Sequence, residues 1–371
     1  MSSPTFAVIA GGGTAGHALP AVAIGRALVT AGHPSDSIHY VGSRRGLEAK
    51  VVRDAGFAIT LLPGRGIARR LTLDNVGAIF GLVAACASAF LLLARRRPRV
   101  VVSVGGYASV PCALAAVLLR VPLVLAESNG VAGAANRLVG RFAKASAVAF
   151  TGTGLPREVL TGNPVRPEIL TVDRSPEGRR AARVQLGLPN DRKVLGVFGG
   201  SLGARRLNEA TFGLVEVWAA RPDVAIRHAI GARDWASAII PTASLPPGGL
   251  IYQPVEYEER MDLVMAAVDL LLVRSGGTTL AEVTVVGIPS ILVPLPIAPN
   301  DHQAVGAQVL ADAGAAVMVR DHELTSAWLA RVVGGLFANP ERLERMGEVA
   351  ASLGRPEAAQ KVAELAECHA R

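Results

Sequence analysis

Apolar and polar positions along the chain repeat one order: a short apolar run, a glycine-rich turn, then a helical stretch. Residues 6–10 lead into GGGTAGH (11–17), and residues 100–104 lead into GGYAS (105–109). Residues 194–198 lead into GGSLGARRLN (199–208), and residues 270–273 into RSGGTTLAEV (274–283). Continuous apolar runs mark strands buried on both faces, and strands alternating with helices predict βαβ units around parallel sheets. The first and third runs read as the opening strands of two Rossmann-like halves. The predicted class is α/β.

At 371 residues the chain is long for one core, and two domains are the natural division. The break is expected at Asn163-Pro164-Val165-Arg166-Pro167, where prolines bar a continuing helix. The charged stretch 173–192 beyond it has no long apolar run. This gives an N-terminal domain (1–163), a C-terminal domain (164–345) and Ala/Glu-rich C-terminal helices (346–371, broken at Pro356) that pack back on the N-terminal domain.

Residues 76–94 carry no charge and lie between Arg65, Arg69 and Arg70 on one side and Arg95, Arg96, Arg97 and Arg99 on the other. Length alone permits a membrane span. A capping Asp74-Asn75 and an immediately following strand and glycine turn favour a crossover helix, either buried or facing a membrane. The formal charge of +8 favours phosphate-bearing or anionic-surface partners. Aromatics make up only 4% of the chain, too few for the stacking platforms of single-stranded nucleic acid, so no nucleic-acid partner is expected. Cys86, Cys112 and Cys368 are odd in number and lack metal-ligand spacing, which fits a reducing cytoplasm. The N-terminus has no basic region or cleavage site of a signal peptide.

The glycine turns carry the candidate chemistry. A strand-to-helix glycine loop brings backbone N–H groups close to a ligand, and the helix start favours negative charge. The first loop competes with the NAD fingerprint, but no convincing acidic residue stands about 20 positions further on. His17, at the mouth of that loop, suits acid–base work, or else caps the helix. The second loop adds the Ser201 hydroxyl, and a pyrophosphate is a candidate ligand. Beyond the third, Glu282 is placed to accept ribose hydroxyls, or else lies on a solvated helix face.

The order GGGTAGH, GGYAS, GNPVRPE, GGSLGARRLN, RSGGTTLAEVTVVGIPSILVPLP and NDHQ resembles the glycine loops and donor site of the MurG family, from residue 6 to about residue 314. The resemblance implies a GT-B architecture, two Rossmann-like domains facing across a cleft, and no metal or other cofactor. It implies inverting transfer of GlcNAc from UDP-GlcNAc to undecaprenyl-pyrophosphoryl-MurNAc-pentapeptide, peripherally at the cytoplasmic face of the membrane. Carried over by residue, Thr14, Ala15 and Gly16 lie near the donor sugar, Asn129 contacts GlcNAc, and Arg166 and Ser201 bind the donor, Ser201 near the pyrophosphate. Gly277, Thr278, Thr279, Leu280, Ala281 and Glu282 surround phosphate and ribose, and Gln303 contacts the sugar. Backbone near Tyr257 and Glu258 is expected to read uracil.

The sequence departs from the family at Ala126, where a His usually precedes Glu127, at Ala15 for a common Gly, and at Gly306 for a frequent Asn. These departures leave room for another lipid or natural-product acceptor. A Rossmann oxidoreductase and a nucleotide-sugar binding protein without turnover are the other classes. His17 is the expected general base, with Glu127 the alternative. No pair of carboxylates at a fixed motif spacing suggests a covalent sugar intermediate.

Overall fold

The computed structural model describes residues 4–12, 15–44, 48–64, 74–200, 203–241 and 245–371, with the backbone alone at Ala15 and at residues 74–79. By its contacts the chain divides into residues 1–166 with 355–371, and residues 167–354.

The first unit runs β1 (Ala7–Gly12), α1 (Ala15–Thr30), β2 (Ile38–Ser43), α2 (Glu48–Asp54), β3 (Ala58–Leu62), α3 (Asp74–Arg96), β4 (Val100–Gly106), α4 (Ser109–Leu118), β5 (Leu123–Glu127), α5 (Ala134–Val139), β6 (Ala145–Val148) and β7 (Glu158–Leu160). The second runs α6 (Pro167–Leu170), α7 (Pro176–Leu186), β8 (Lys193–Phe198), α8 (Arg205–Val217), β9 (Val224–Ala229), α9 (Ala232–Trp235), β10 (Ile251–Val255), α10 (Met261–Ala267), β11 (Leu270–Arg274), α11 (Gly277–Val286), β12 (Ser290–Val293), α12 (His302–Asp312), β13 (Ala316–Met318), α13 (Ser326–Phe337) and α14 (Pro340–Leu353). A last helix, α15 (Ala358–His369), returns to the first unit.

Both sheets are parallel. The first has the order β3-β2-β1-β4-β5-β6-β7 and the second β10-β9-β8-β11-β12-β13. In each, the chain reverses its direction of growth beside the opening strand, between β1 and β4 and between β8 and β11. Ligands of open α/β sheets bind at the carboxyl ends of the strands flanking such a switch point, and all four glycine turns follow these four strands. The central strands are buried on both faces, which is why they read as unbroken apolar runs.

The structure changes one expectation, the second domain boundary, and adds detail to two others. The charged stretch 173–192 is largely helix: Ser175 caps α7 by accepting from Gly178 N at 3.0 Å, and Gly187 ends it in a left-handed turn. The expected boundary at 345/346 falls inside α14, which packs on α11 and α13 of the second unit. The chain crosses back only at Gly354-Arg355-Pro356, so residues 346–353 do not join the N-terminal domain. Finally, α3 is not wholly buried. Ala85, Ala89 and Leu93, spaced one turn apart, pack into the core, while Phe80, Val83 and Leu91 are exposed. Among the described residues no helix is long and apolar enough to cross a membrane.

Each unit buries a histidine. His39 on β2 pairs through Nε2 with Thr60 Oγ1 at 2.8 Å, and burial, with Arg96 adding to it, lowers its pKa from 6.5 to about 4. His228 on β9 contacts Tyr252 Oη at 2.9 Å and Asn208 Oδ1 at 3.0 Å, and burial lowers its pKa to about 3. Folding therefore holds both imidazoles neutral, while the unfolded chain protonates them below about 6.5. Between those values the unfolded state binds more protons, so stability falls as pH falls, by up to about 1.4 kcal/mol per pH unit for each imidazole. Urea midpoints should decline steadily from about pH 7 to about pH 5; a flat profile would contradict the assignment.

Candidate active site

In the first unit the last residues of β1 and β4, Gly12 and Gly106, meet backbone to backbone. Gly106 has φ +84°, and a Cβ there would stand 2.0 Å from the Gly12 carbonyl oxygen. Only glycine allows this approach. His17, in the first turn of α1, lies over the second turn: a Cβ at Gly105 would be 3.2 Å from its Nε2. Its pKa is lowered, chiefly because burial disfavours the charged ring, while the Glu127 and Glu48 carboxylates pull the other way.

Glu127 ends β5 and is buried. Its Oε1 accepts from Asn129 N at 3.1 Å and Asn129 Nδ2 at 2.8 Å. Its Oε2 accepts from Gly133 N at 2.9 Å and Asn136 Nδ2 at 3.0 Å. Asn136 also accepts from Ser103 Oγ of β4 at 3.2 Å. A buried carboxylate needs such donors, and these use both oxygens to shape the turn carrying Asn129. On the next residue, Ser128 Oγ donates to Asn163 Oδ1 at 2.8 Å, tying this turn to the GNPVR segment that ends in half-buried Arg166.

In the second unit the turn after β8 leads into α8, and its Asn208 reaches below the turn. Asn208 Nδ2 donates to Ile230 O at 3.1 Å and Asp234 Oδ2 at 3.0 Å, leaving Oδ1 to accept from His228 Nε2. His228 Nδ1 then accepts from the Tyr252 hydroxyl, so every polar atom of this buried chain has a partner. The turn after β11 opens on Arg274, held by Asp321 at 2.6 Å and donating to Pro294 O at 3.2 Å. Gly276 then caps α11, adding no side-chain bond of its own. Ser275 Oγ donates to Gln303 O at 3.1 Å, and Gln303 Oε1 accepts from Leu295 N at 2.9 Å. Gln303 Nε2 faces the glycine turn, 4.0 Å from where a Gly276 Cβ would stand.

Thus Gly16, His17, Glu127 and Asn129 stand at the carboxyl edge of the first sheet, and Gly277, Thr278, Thr279, Leu280, Ala281, Glu282 and Gln303 at that of the second. Thr14 and Ser201 lie outside the described residues, as do Arg65, Arg69 and Arg70; at Ala15 only the backbone is described. Glu282 is buried, which removes the solvated-face reading. Near the expected uracil segment, Tyr257 is exposed, whereas the Glu258 carboxylate pairs with Arg227 at 2.9 Å and accepts from Arg260 N at 3.1 Å. The side chain of Ala126 packs in the apolar core with Val124, Ala147 and Val362. Sequence reasoning missed Glu48, whose carboxylate lies against Gly12; no motif marks it, and its spacing from the first loop matches no familiar pattern.

Comparison with known proteins fits this arrangement. The glycosyltransferase family 28 N-terminal domain matches residues 7–148, and the C-terminal domain of the same family matches residues 194–362. A relative from Nocardioides sp., 41% identical with 96% of each chain covered, is a "UDP-N-acetylglucosamine--N-acetylmuramyl-(pentapeptide) pyrophosphoryl-undecaprenol N-acetylglucosamine transferase". One from Desulforudis audaxviator, 37% identical over 97% of each chain, has the same name. The crystal structure of Acinetobacter baumannii MurG is similar with a TM-score of 0.77 and 28% identity, covering 98% of this chain and 100% of that one. The chain is a glycosyltransferase of family 28 with the GT-B fold. Within it, the chain belongs to the MurG family.

The contact between Gly106 and Gly12 is directly testable. Gly106→Ala places a Cβ into the Gly12 carbonyl from a left-handed backbone, and should cost roughly 2 kcal/mol or more. A urea midpoint within error of the parent's would refute the close approach.

Proposed function

We infer that this enzyme transfers GlcNAc from UDP-GlcNAc to undecaprenyl-pyrophosphoryl-MurNAc-pentapeptide, converting lipid I to lipid II in peptidoglycan synthesis. The observation that carries this reading is near full-length similarity, at 37 and 41% identity, to transferases named for that activity.

In this reading the acceptor hydroxyl attacks the anomeric carbon, an acceptor oxygen–carbon bond forms, and the bond to UDP breaks with inversion. His17 takes the hydroxyl proton. A lowered pKa keeps its imidazole neutral and able to accept. Glu127 is the weaker candidate, because four donors already engage its two oxygens; its part is to set the turn that presents Asn129 to the sugar. The departing pyrophosphate needs preorganised donors. The N-terminus of α11, Ser201 and Arg166 supply them without a metal. Glu282 accepts the ribose hydroxyls, Gln303 and residues 14–16 contact the sugar, and backbone near Tyr257 reads uracil.

The acceptor's lipid tail stays in the bilayer, so the enzyme comes to the surface. Support lies in α3, whose outer face exposes Phe80 (72%), Val83 (63%) and Leu91 (52%) and whose end carries Arg95 and Arg96, followed by Arg97 and Arg99. An apolar strip beside basic side chains suits peripheral docking on an anionic, cytoplasmic membrane face, each engaged Arg contributing about 1 kcal/mol.

A transfer assay with UDP-GlcNAc and a short-chain lipid I analogue tests the reaction, and absence of lipid II product would refute it. In that assay His17→Ala should lower kcat by roughly 10²–10⁴-fold with little change in UDP affinity; near-normal turnover would move the base elsewhere. Vesicle flotation tests docking. Binding to anionic vesicles should weaken on Phe80→Ser or Arg95→Glu and be largely released by high salt. No binding at low salt would sink the docking surface.

A further inference from the structure

Arg320 and Asp321 lie just beyond β13, the edge strand of the second sheet, and reach the turns that leave its two inner neighbours. Asp321 pairs with Arg274 Nη2 at 2.6 Å, and both side chains are largely buried. Arg274 ends β11, and its Nη1 also donates to Val293 O at 3.4 Å and Pro294 O at 3.2 Å, where the chain leaves β12. The neighbouring residue grips the far end of that same loop: Arg320 Nη1 donates to Asp301 Oδ2 at 2.6 Å. Arg320 is anchored in turn through its backbone, its N donating to Glu323 Oε2 at 3.2 Å and its O accepting from Glu323 N at 3.0 Å.

The loop from Pro294 to Asp301 is thus tied at both ends to one dipeptide. Asp301 stands at the N-cap of α12, where an aspartate ordinarily accepts from the first amides of the helix. It makes no such bond, and its carboxylate is turned to Arg320 instead. Asn300 and Asp301 are both left-handed, with φ +53° and +52°, a conformation that residues with side chains hold only where their surroundings impose it. Two positions further on is Gln303. Its Oε1 accepts from Leu295 N at 2.9 Å, which fixes Nε2 as the atom facing the glycine turn, 4.0 Å from where a Gly276 Cβ would stand. The start of α12 therefore aims an N–H donor at that turn, and Arg320 holds the residue from which α12 starts.

We propose that Arg320 and Asp321 are positioning residues for the sugar donor. Asp321 holds the turn after β11 through Arg274, and Arg320 holds Asp301 so that α12 presents the Gln303 Nε2 donor to oxygens of the sugar. This deepens the reading of the second sheet's carboxyl edge as the UDP-GlcNAc site and rests on it. The two residues are expected to differ in what they affect. Releasing Asp301 moves the sugar contact alone, whereas releasing Arg274 disturbs the turn that leads into α11 and is felt by the nucleotide as well.

Calorimetric titration of the whole enzyme with UDP-GlcNAc and with UDP, acceptor absent, tests this. Arg320 and Asp301 are 44% and 50% exposed, so loss of their pair leaves the fold intact. Arg320→Ala should weaken UDP-GlcNAc binding about fivefold while UDP affinity stays within about twofold. Because the effect runs through Gln303, Arg320→Ala should cost almost nothing further in a Gln303→Ala background. Asp321→Asn should weaken both ligands, by about tenfold; if that variant does not fold, the Arg320 measurements decide alone. Parental UDP-GlcNAc affinity in Arg320→Ala overturns the proposal, and so does an equal loss for UDP or a loss that adds fully to that of Gln303→Ala. Failure of the underlying reading looks different: the parent would not bind UDP-GlcNAc at all. Parental affinity in Gln303→Ala would remove the sugar contact, and the role of Arg320 with it.

Discussion

The contact of Gly106 with the carbonyl of Gly12 is the constraint on which the first unit's site depends. Two strands flanking a switch point must release their chains almost at the same place, and without side chains at Gly12 and Gly106 the two strand ends close to backbone contact. That closeness lets α1 start low over the sheet and puts His17 above the β4 turn. A Cβ at Gly106 would press on the Gly12 carbonyl, while one at Gly12 would meet the Glu48 carboxylate instead. The remaining parts of the site follow: Glu127 shapes the next turn along the edge, and Glu48 fills the space behind Gly12.

Charge is distributed with the same economy. Two buried carboxylates act on His17, Glu127 and Glu48, and each accepts hydrogen bonds from its own neighbours. Glu127 is bound by Asn129, Gly133 and Asn136, and Glu48 by Ser43. In the second unit the buried polar chain Asp234–Asn208–His228–Tyr252 supports the turn after β8 with neutral side chains and one carboxylate.

Much of this was legible in the sequence, for physical reasons that also explain the gaps. Central strands of a doubly covered parallel sheet must be apolar at every position, so β1, β4, β8 and β11 announce themselves. Helix α7 does not, because an Arg-rich helix needs few apolar residues when it packs a single stripe on α10. Helices α14 and α15 have similar composition, and only the Gly354-Arg355-Pro356 break separates a helix of one unit from a helix of the other. The amphipathy of α3 is hidden because its outer face is apolar too, and the inner face is distinguished by small residues at 85 and 89. Glu48 was out of reach because its meaning lies in two glycines from different strands, Gly12 and Gly42, which only the fold brings to one side chain.

The return of α15 to the first unit has a consequence for biosynthesis. Val362, Ala363 and Ala366 lie in the same apolar cluster as Phe6, Ile9 and Val102, and Arg371 N bonds to Arg99 O at 3.2 Å. On a ribosome the earliest-made sheet must wait, one flank of its core open, until the final helix emerges. The second unit, made later, has all its strands and helices by residue 354 and can close first. The sheet made first thus receives the last part of its core from the helix made last.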